Sequence, residues 1–303
     1  MISFKQFLKE DDSSHLDAVA FKKLIHDNCP NNFDYVVKTN NCLWRKHNED
    51  AQFLHFPARA NARKSATGSN TLLDWASNSK DWVKFPDRKY SIMTGTSPEE
   101  IKVMAGKMFA VIPFDNIKRF GTTPLDFNFI MADDYLEGDG NGGYGISGFM
   151  EDLRTVLVLW HEHNGDTTIA AKMSNLFSMS QSEITEHINE FSKTIHRNTE
   201  AISKFRDWLL LDDDLPRGQF WDVRALNNSI EDHKDLAKFF FHVTSPEYFN
   251  AEIKTSFNQL PFSNARSEVW YTGDSLLIQI SKAQQAKLET VTLGDIFTNH
   301  GLI

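Results

Sequence analysis

The sequence predicts an α+β fold in which a large helical insertion interrupts a sheet-forming core. Short apolar runs rich in β-branched and aromatic residues, typical of strands, occur before residue 113 and again at residues 266–278. Between them, residues 149–260 carry apolar side chains at the three- and four-residue spacing of amphipathic helices. A chain of 303 residues lies at the border between one large domain and two, so we expect one body with an insertion.

Composition and charge exclude several classes of function. The 32 basic and 41 acidic side chains give a net charge of -9, which argues against general nucleic-acid binding because phosphate contacts need clustered Lys and Arg. The two cysteines, Cys29 and Cys42, allow no disulfide framework and no cysteine-based zinc site, and they suit a reducing cytoplasm. No apolar run approaches the ~20 residues of a membrane helix, so we expect no membrane association.

Residues 1–10 have the pattern of a short amphipathic helix, too short in its apolar part for a secretory signal. The segment is similar to the capsid-targeting leader of internal head proteins of large tailed bacteriophages. A prohead protease cuts that leader after Leu-x-Glu, and Leu8-Lys9-Glu10 fits this rule. The resemblance implies cleavage after Glu10, packaging in the virion head and delivery to the host cytoplasm. An ordinary N-terminal helix is the alternative.

Residues 11–132 form the N-terminal part of the predicted core. A helix that includes Leu16 and Ile25 is predicted to end before Cys29, because Pro30 cannot continue it. Ser97 and Pro98, followed by two glutamates, are typical of a helix start. The other predicted elements are strands at 35–37 and 42–45, a basic loop at 57–69, a helix at 71–78, and strands at 89–94 and 108–112.

A glycine-rich loop is predicted at residues 133–148, which hold six of the chain's 15 glycines. The loop does not match a calcium-binding loop, because Glu137 stands at the first position and Gly148 at the twelfth, where Asp and Glu are needed. His161 and His163 also fail as a metal pair, because residues two apart on a helix face different directions. We therefore predict no metal site.

Residues 149–260 form the predicted helical insertion, and residues 261–303 close the core. The closing segment reads as a hairpin, with strands on either side of turn-forming residues 272–275. Ser245-Pro246-Glu247 repeats the helix-start pattern. Helical spacing of apolar residues occurs at 153–160, 184–195, 202–209, 236–240 and 249–257.

Glu268 is the candidate functional residue of the closing strands. Alternation along a strand places Glu268 on the same face as Trp270, inside an otherwise apolar segment. Such a carboxylate either has a partner or has a chemical role, because Glu is seldom buried without one. The alternative is a strand-end glutamate that reaches water.

Three segments in a fixed order resemble the motifs of the ADP-ribosyltransferases, particularly phage-encoded ones. They are Leu-Trp-Arg ending at Arg45, Met-Thr-Gly-Thr ending at Thr96, and Glu-Val-Trp-Tyr beginning at Glu268. The resemblance covers residues 41–113 and 266–280. It implies a split β-sheet core of the ADP-ribosyltransferase type, with NAD as the substrate that supplies ADP-ribose.

The resemblance also implies roles for individual residues. Glu268 would stabilise the oxocarbenium-like charge that develops as the nicotinamide–ribose bond breaks. Arg45 would bind the diphosphate, because a planar guanidinium suits phosphate. A hydroxyl of Ser91 or Thr94 would orient Glu268. The other residues implied around NAD are Arg59, Arg63 and Arg88 as helpers at the phosphates, and Trp44 or Trp270 beside the nicotinamide ring.

Three positions depart from the family pattern. Lys46 follows Arg45 where the family commonly has Gly, and Gly95 interrupts the Ser-Thr-Ser pattern of the second motif. Arg266 stands where relatives have a Glu or Gln that helps select the acceptor, so modification of protein arginine is not expected.

The function implied is that of a mono-ADP-ribosyltransferase, an enzyme of the glycosyltransferase class, which acts on a host protein or other host macromolecule after phage injection. The alternative is a transferase-like internal head protein, or an injected inhibitor, that binds a host protein without catalysis. The acidic charge, Lys46 and Arg266 favour that alternative.

Overall fold

The computed structural model is a mixed structure of helices and one antiparallel sheet, which confirms the predicted α+β class. The predicted leader with Glu10, the predicted helix at 202–209 apart from residue 204, Arg63 and the glycine-rich loop up to residue 145 lie outside the described residues. The structure describes residues 13–62, 71–101, 105–124, 146–197, 200, 204, 235–262 and 266–303.

The chain forms two units that interleave along the sequence. The second unit includes residues 65–83, which precede the predicted insertion, and its first described helix after them begins at Ile146, inside the predicted loop. The first unit consists of Met1–Lys64, Lys84–Asp126 and Asn250–Ile303, and the second of Ser65–Val83 and Phe127–Phe249.

The first unit contains a nine-stranded sheet in the order β1-β3-β9-β5-β2-β4-β8-β6-β7, and all neighbouring strands are antiparallel. The strands are β1 Ser14–His15, β2 Leu43–His47, β3 Phe53–Phe56, β4 Ile92–Gly95, β5 Lys107–Pro113, β6 Phe120–Thr123, β7 Glu252–Lys254, β8 Glu268–Tyr271 and β9 Ser275–Ile280. The helices within the described residues are α1 Ala18–Asn28, α2 Pro30–Thr39, α3 Thr71–Asn78, α4 Pro98–Ile101, α5 Ile146–His163, α6 Thr167–Met173, α7 Gln181–Arg197, α8 Leu236–Val243, α9 Lys282–Gln285 and α10 Leu293–Asn299.

The sheet has a weak junction between β2 and β4. These strands share the single residue pair Trp44–Gly95, whereas β2 pairs with β5 from Leu43 to His47. The junction therefore divides the sheet into one half of five strands, β1-β3-β9-β5-β2, and another of four, β4-β8-β6-β7.

The predicted hairpin of β8 and β9 is wrong, because the two strands pair with different neighbours and lie in different halves of the sheet. Along the order β9-β5-β2-β4-β8 the two strands are four strand spacings apart, which is roughly 19 Å in a flat sheet. The four chain steps from Tyr271 to Ser275 reach at most roughly 14 Å. The sheet must therefore bend, and the 2.7 Å hydrogen bond between the Tyr271 hydroxyl and Ser275 Oγ shows the two strand ends in contact.

Asp274 anchors the link between β8 and β9 to the five-stranded half. Its carboxylate accepts from the backbone N–H of Ala58 at 3.0 Å and lies 2.9 Å from His55 Nε2. Its backbone oxygen accepts from the N–H of Phe114 at 3.1 Å. The carboxylate and the backbone oxygen of Asp274 thus both fix the position at which β9 begins.

A single apolar core draws on both halves of the sheet and on the helices that cover it. Val269 and Tyr271 of β8 share this core with Leu43 of β2. The two thiols, Cys29 and Cys42, lie in the same core, and burial raises the pKa of each to about 12. Both thiols are therefore neutral at physiological pH.

The predicted strand at 35–37 is wrong, because these residues lie in the middle of α2. Pro30 begins this helix, and Cys29 provides no side-chain cap. Asp115 caps it instead: its carboxylate accepts from the backbone N–H groups of Asn31 and Asn32 at 3.0 Å each, and from Asn31 Nδ2 at 2.8 Å. This cap comes from a residue 84 positions further along the chain.

The predicted helical pattern at 249–257 is also wrong. Glu252–Lys254 forms β7, which pairs with β6, and Phe257–Gln259 is a short 3₁₀ turn. Asn250 has a left-handed φ of 49°, which an α-helix cannot include. Ser245-Pro246-Glu247 likewise begins a turn rather than a helix.

The second unit contains α3 and α5–α8, and its core includes a cluster of aromatic rings. Phe240 lies at the centre, with ring centroids at 5.2 Å from Trp75, 6.2 Å from Phe177 and 6.4 Å from Phe149. Among the helices that the structure describes, none combines the length and the apolar character needed to cross a bilayer.

Gly121 of β6 lies directly against the Trp270 ring. A Cβ atom at Gly121 would overlap Cε2 and Cζ2 of Trp270 and lie 2.6 Å from its Nε1. Gly294, in α10, has ordinary space instead, because its Cβ would meet no atom closer than 3.5 Å.

We predict that Gly121→Ala lowers the free energy of unfolding by about 1–3 kcal/mol, the usual cost of overpacking. Gly294→Ala is the matched control, and we expect it to raise that free energy by about 0.4–1 kcal/mol because alanine restricts the unfolded chain. Urea denaturation followed by circular dichroism measures both. Equal effects of the two substitutions would contradict the close packing at Gly121.

Candidate active site

The three motif strands lie side by side in the sheet, in the order β2-β4-β8. Trp44 is paired with Gly95, Gly95 with Glu268, and Glu268 with Thr123. These four residues form one row across the sheet and share a face. Because Gly95 has no side chain, Trp44 and Glu268 flank a gap in this row.

Arg45 belongs to the opposite face of the sheet. It follows Trp44 in β2, and successive side chains in a strand point to opposite faces. Its Nη1 donates to the backbone oxygen of Met93 at 2.9 Å, and its guanidinium lies 5.1 Å from the centre of the Phe56 ring. The structure therefore does not bring Arg45 and Glu268 together on one face.

The cation beside Glu268 is Arg88. Its Nη1 lies 2.5 Å from Oε1 of Glu268. Arg88 is 2% exposed and Glu268 is 8% exposed, so this ion pair is buried. The resemblance assigned Arg88 to phosphate binding, whereas the structure shows its guanidinium in contact with the predicted catalytic carboxylate.

Trp270 supports this ion pair. The Arg88 guanidinium lies over the indole ring, 4.6 Å from its centre, which is cation–π geometry. The indole Nε1 donates to the backbone oxygen of Pro86 at 3.1 Å, and the Phe85 ring stacks on the indole at 6.1 Å. The segment from Phe85 to Arg88 thus crosses the face of β8 that carries Glu268 and Trp270.

The hydroxyl groups of Ser91 and Thr94, which were predicted to orient Glu268, donate hydrogen bonds to backbone oxygens instead. Ser91 Oγ donates to the backbone oxygen of Asp87 at 2.7 Å, just before β4 begins. Thr94 Oγ1 donates to the backbone oxygen of Val269 at 2.9 Å, on the face opposite Glu268. Neither of these bonds orients the Glu268 carboxylate directly.

Thr96 and Thr123 were not predicted as site residues. Thr96 and Ser267 exchange two hydrogen bonds, from the N–H of Ser267 to Thr96 Oγ1 at 3.1 Å and from the N–H of Thr96 to the oxygen of Ser267 at 3.0 Å. They fix the residue that precedes Glu268. Thr123 is buried and directly opposite Glu268, but no strand was predicted in its segment.

The remaining predicted residues have varied positions. Trp44 is buried in the core, and Lys46, two residues later, shares its face. Arg59 is half-buried after β3, and Arg266 is exposed two residues before β8.

A cavity of about 510 Å³ opens at the far end of β8. It is lined by residues 85–87, 116–119 and 272–274, none of which was predicted as a site residue. Its size is that of a ligand pocket. Thr272 directly follows β8, and the four residue steps from Glu268 span roughly 13 Å of extended chain.

The His161 and His163 pair lies on α5 in the second unit. His161 packs edge-on against His187, with ring centres 5.8 Å apart. The pKa of His161 is lowered, mainly by burial and to a smaller extent by the charge of His187. Within the described ranges, no group of three or more His, Cys, Asp or Glu side chains is arranged to hold a metal ion.

Comparisons of this chain with protein-family models, with curated proteins and with solved structures give no match. Its function therefore has to be inferred from the geometry around Glu268.

We predict that Arg88 and Glu268 are strongly coupled in stability. Arg88→Met and Glu268→Gln should each lower the free energy of unfolding by about 3 kcal/mol, because each disrupts a buried ion pair. The double variant should lose less than the sum of the two, because neither charge is then left alone. Urea denaturation of the four proteins gives the coupling energy.

The matched control is Arg154→Met. Arg154 pairs with Glu151 at 2.7 Å, but both side chains are about one third exposed, so its loss should cost at most about 1 kcal/mol. Additive effects of Arg88→Met and Glu268→Gln would contradict the coupling.

Proposed function

We propose that the protein is a mono-ADP-ribosyltransferase that cleaves NAD and transfers ADP-ribose to a host macromolecule. The observation that supports this proposal is the adjacency of β2, β4 and β8, the three strands that carry the family-like motifs. The single pair that joins β2 to β4 supports a split-sheet core of the ADP-ribosyltransferase type. Both features depend on residues far apart in the chain.

Glu268 supplies the chemistry in this proposal. The bond between ribose C1′ and the nicotinamide nitrogen breaks, and its electron pair leaves with nicotinamide. The carboxylate stabilises the positive charge that develops on the ribose more strongly in the transition state than in bound NAD. A nucleophile of the acceptor then bonds to C1′ and loses its proton.

Arg45 keeps its proposed role at the NAD diphosphate only through the resemblance. Its guanidinium already contacts Met93 and Phe56, on the face opposite Glu268. To contact Arg45, the diphosphate would have to bind on that face, or the Arg45 side chain would have to move to the face that carries Glu268. Turnover by an Arg45 variant is therefore a weaker test of the proposal than turnover by a Glu268 variant.

The biological setting follows from the leader-like segment that ends at Glu10. In this proposal a prohead protease removes the segment, the protein is packaged in the virion head, and it acts in the host cytoplasm, where NAD is available. Arg266 before β8 favours an acceptor other than protein arginine.

The direct test is the release of nicotinamide from labelled NAD in the presence of host lysate. We expect turnover by the wild type and a loss of roughly 100-fold or more in Glu268→Gln, because the transition state loses its carboxylate. Glu289→Gln is the control, since Glu289 is exposed and belongs to none of the strands β2, β4 and β8, and it should match the wild type.

Circular dichroism at the assay temperature must show that Glu268→Gln is folded, because the substitution also disrupts a buried ion pair. Equal turnover by the folded variant and the wild type would remove Glu268 from the mechanism.

A non-catalytic binding protein is the second candidate. The observation that favours it is the Arg88–Glu268 pair itself, since a buried carboxylate that neutralises an arginine has a structural role without any substrate. In that case the transferase-like sheet would present a surface to a host protein or hold an internal head component.

Thermal unfolding with millimolar NAD separates the two candidates. A transferase with a Kd of ~10 µM should gain about 2.7 kcal/mol at a hundredfold excess over that Kd, and its Tm should rise by roughly 5 °C. ADP at the same concentration is the control ligand, because it lacks the nicotinamide ribose. No shift with NAD would favour the binding protein.

A further inference from the structure

We propose that Arg88 is a positioning residue for Glu268: it holds the carboxylate in place through the ion pair and is itself held by the Trp270 ring. The inference rests on the proposed function, and it changes the role of Arg88 from phosphate binding to control of the carboxylate.

Burial separates these two roles. Arg88 is 2% exposed, and its guanidinium is enclosed by the Glu268 carboxylate and the Trp270 ring. An arginine that recruits the diphosphate of a soluble substrate has to present its fork to that substrate. The Nη1 of Arg88 instead lies 2.5 Å from Oε1 of Glu268, within ion-pair distance.

The position of Arg88 is fixed by contacts on both sides of Trp270. One side of the indole is closed by Gly121, where a Cβ would overlap the ring. The indole Nε1 is held by the oxygen of Pro86, two residues before Arg88. The ring and the chain segment that carries Arg88 are therefore held together, with the guanidinium over the indole ring.

This arrangement affects catalysis through geometry and ionisation. The positive charge of Arg88 balances part of the negative charge of Glu268. Arg88 therefore does not itself stabilise the positive charge that develops on the ribose. Its effect is to fix the carboxylate and to favour its ionised form, since a nearby positive charge opposes protonation. Misplacement of a catalytic group by about 1 Å costs roughly 100-fold in rate.

The test compares Arg88→Met and Arg88→Lys with the wild type, and measures kcat and KM for NAD from about pH 5 to about pH 9. We expect Arg88→Met to lower kcat roughly 100-fold while KM changes less than about threefold. The acid side of its pH profile should move to higher pH. Arg88→Lys should recover part of kcat, because it keeps the charge but not the planar fork.

Arg154→Met is the control, because it removes an arginine from an Arg–Glu pair in the second unit. It should leave kcat, KM and the pH profile unchanged. A raised KM with kcat intact in the Arg88 variants would overturn the inference and return Arg88 to phosphate binding. If Arg88→Met does not fold, Arg88→Lys, whose charge still balances Glu268, carries the comparison of kcat with KM.

A second measurement needs no NAD. In protein labelled with ¹³C at the glutamate side-chain carboxyls, the Glu268 signal is the one lost in Glu268→Gln, and its shift with pH reports protonation. We expect protonation at higher pH in Arg88→Met than in the wild type, and an unchanged titration in both Arg88 variants would overturn the inference. If the wild type turns over no NAD, the proposed function fails and the catalytic inference fails with it, while a shifted titration still shows that Arg88 holds Glu268 ionised.

Discussion

The short link between β8 and β9 is the constraint on which the first unit depends. Three residues join strands that would lie roughly 19 Å apart in a flat sheet, so the sheet has to bend between β9 and β8, a stretch that includes the weakly paired junction of β2 and β4. The bend brings Tyr271 against Ser275 and lets both halves share one core. It also leaves the other face of β8, with Glu268 and Trp270, to be covered by the segment that carries Arg88.

Much of the local structure could be predicted from the sequence, but the pairing of the strands could not. Alternation and apolar runs identified β2, β4, β5, β8 and β9 within a few residues, and helical spacing identified α3, α5, α7 and α8. The turn-forming residues 272–275 suit a hairpin and a crossing link equally well, so local chemistry cannot distinguish the two. Strand β7 was missed because its apolar spacing predicts a helix, whereas pairing with β6 makes it a strand.

The candidate site shows the same division. The position of Glu268 inside a strand, on the face of Trp270, follows from sequence alternation alone. The face of Arg45 relative to Glu268 depends on the register of two strand pairs, which no local pattern encodes. Arg88 becomes the partner of Glu268 because hydrogen bonds to Asp87 and Pro86 shape an irregular segment before β4.

The cap that Asp115 provides to α2 has a consequence for how the chain folds. A helix of 10 residues is marginal in isolation, and the first turn of α2 is completed by a carboxylate that follows β5. Helix α2 and strand β5 therefore gain stability together, in one cooperative step with a long loop to close. The same dependence explains why residues 35–37, with their β-branched valines, read as a strand until the distant carboxylate is taken into account.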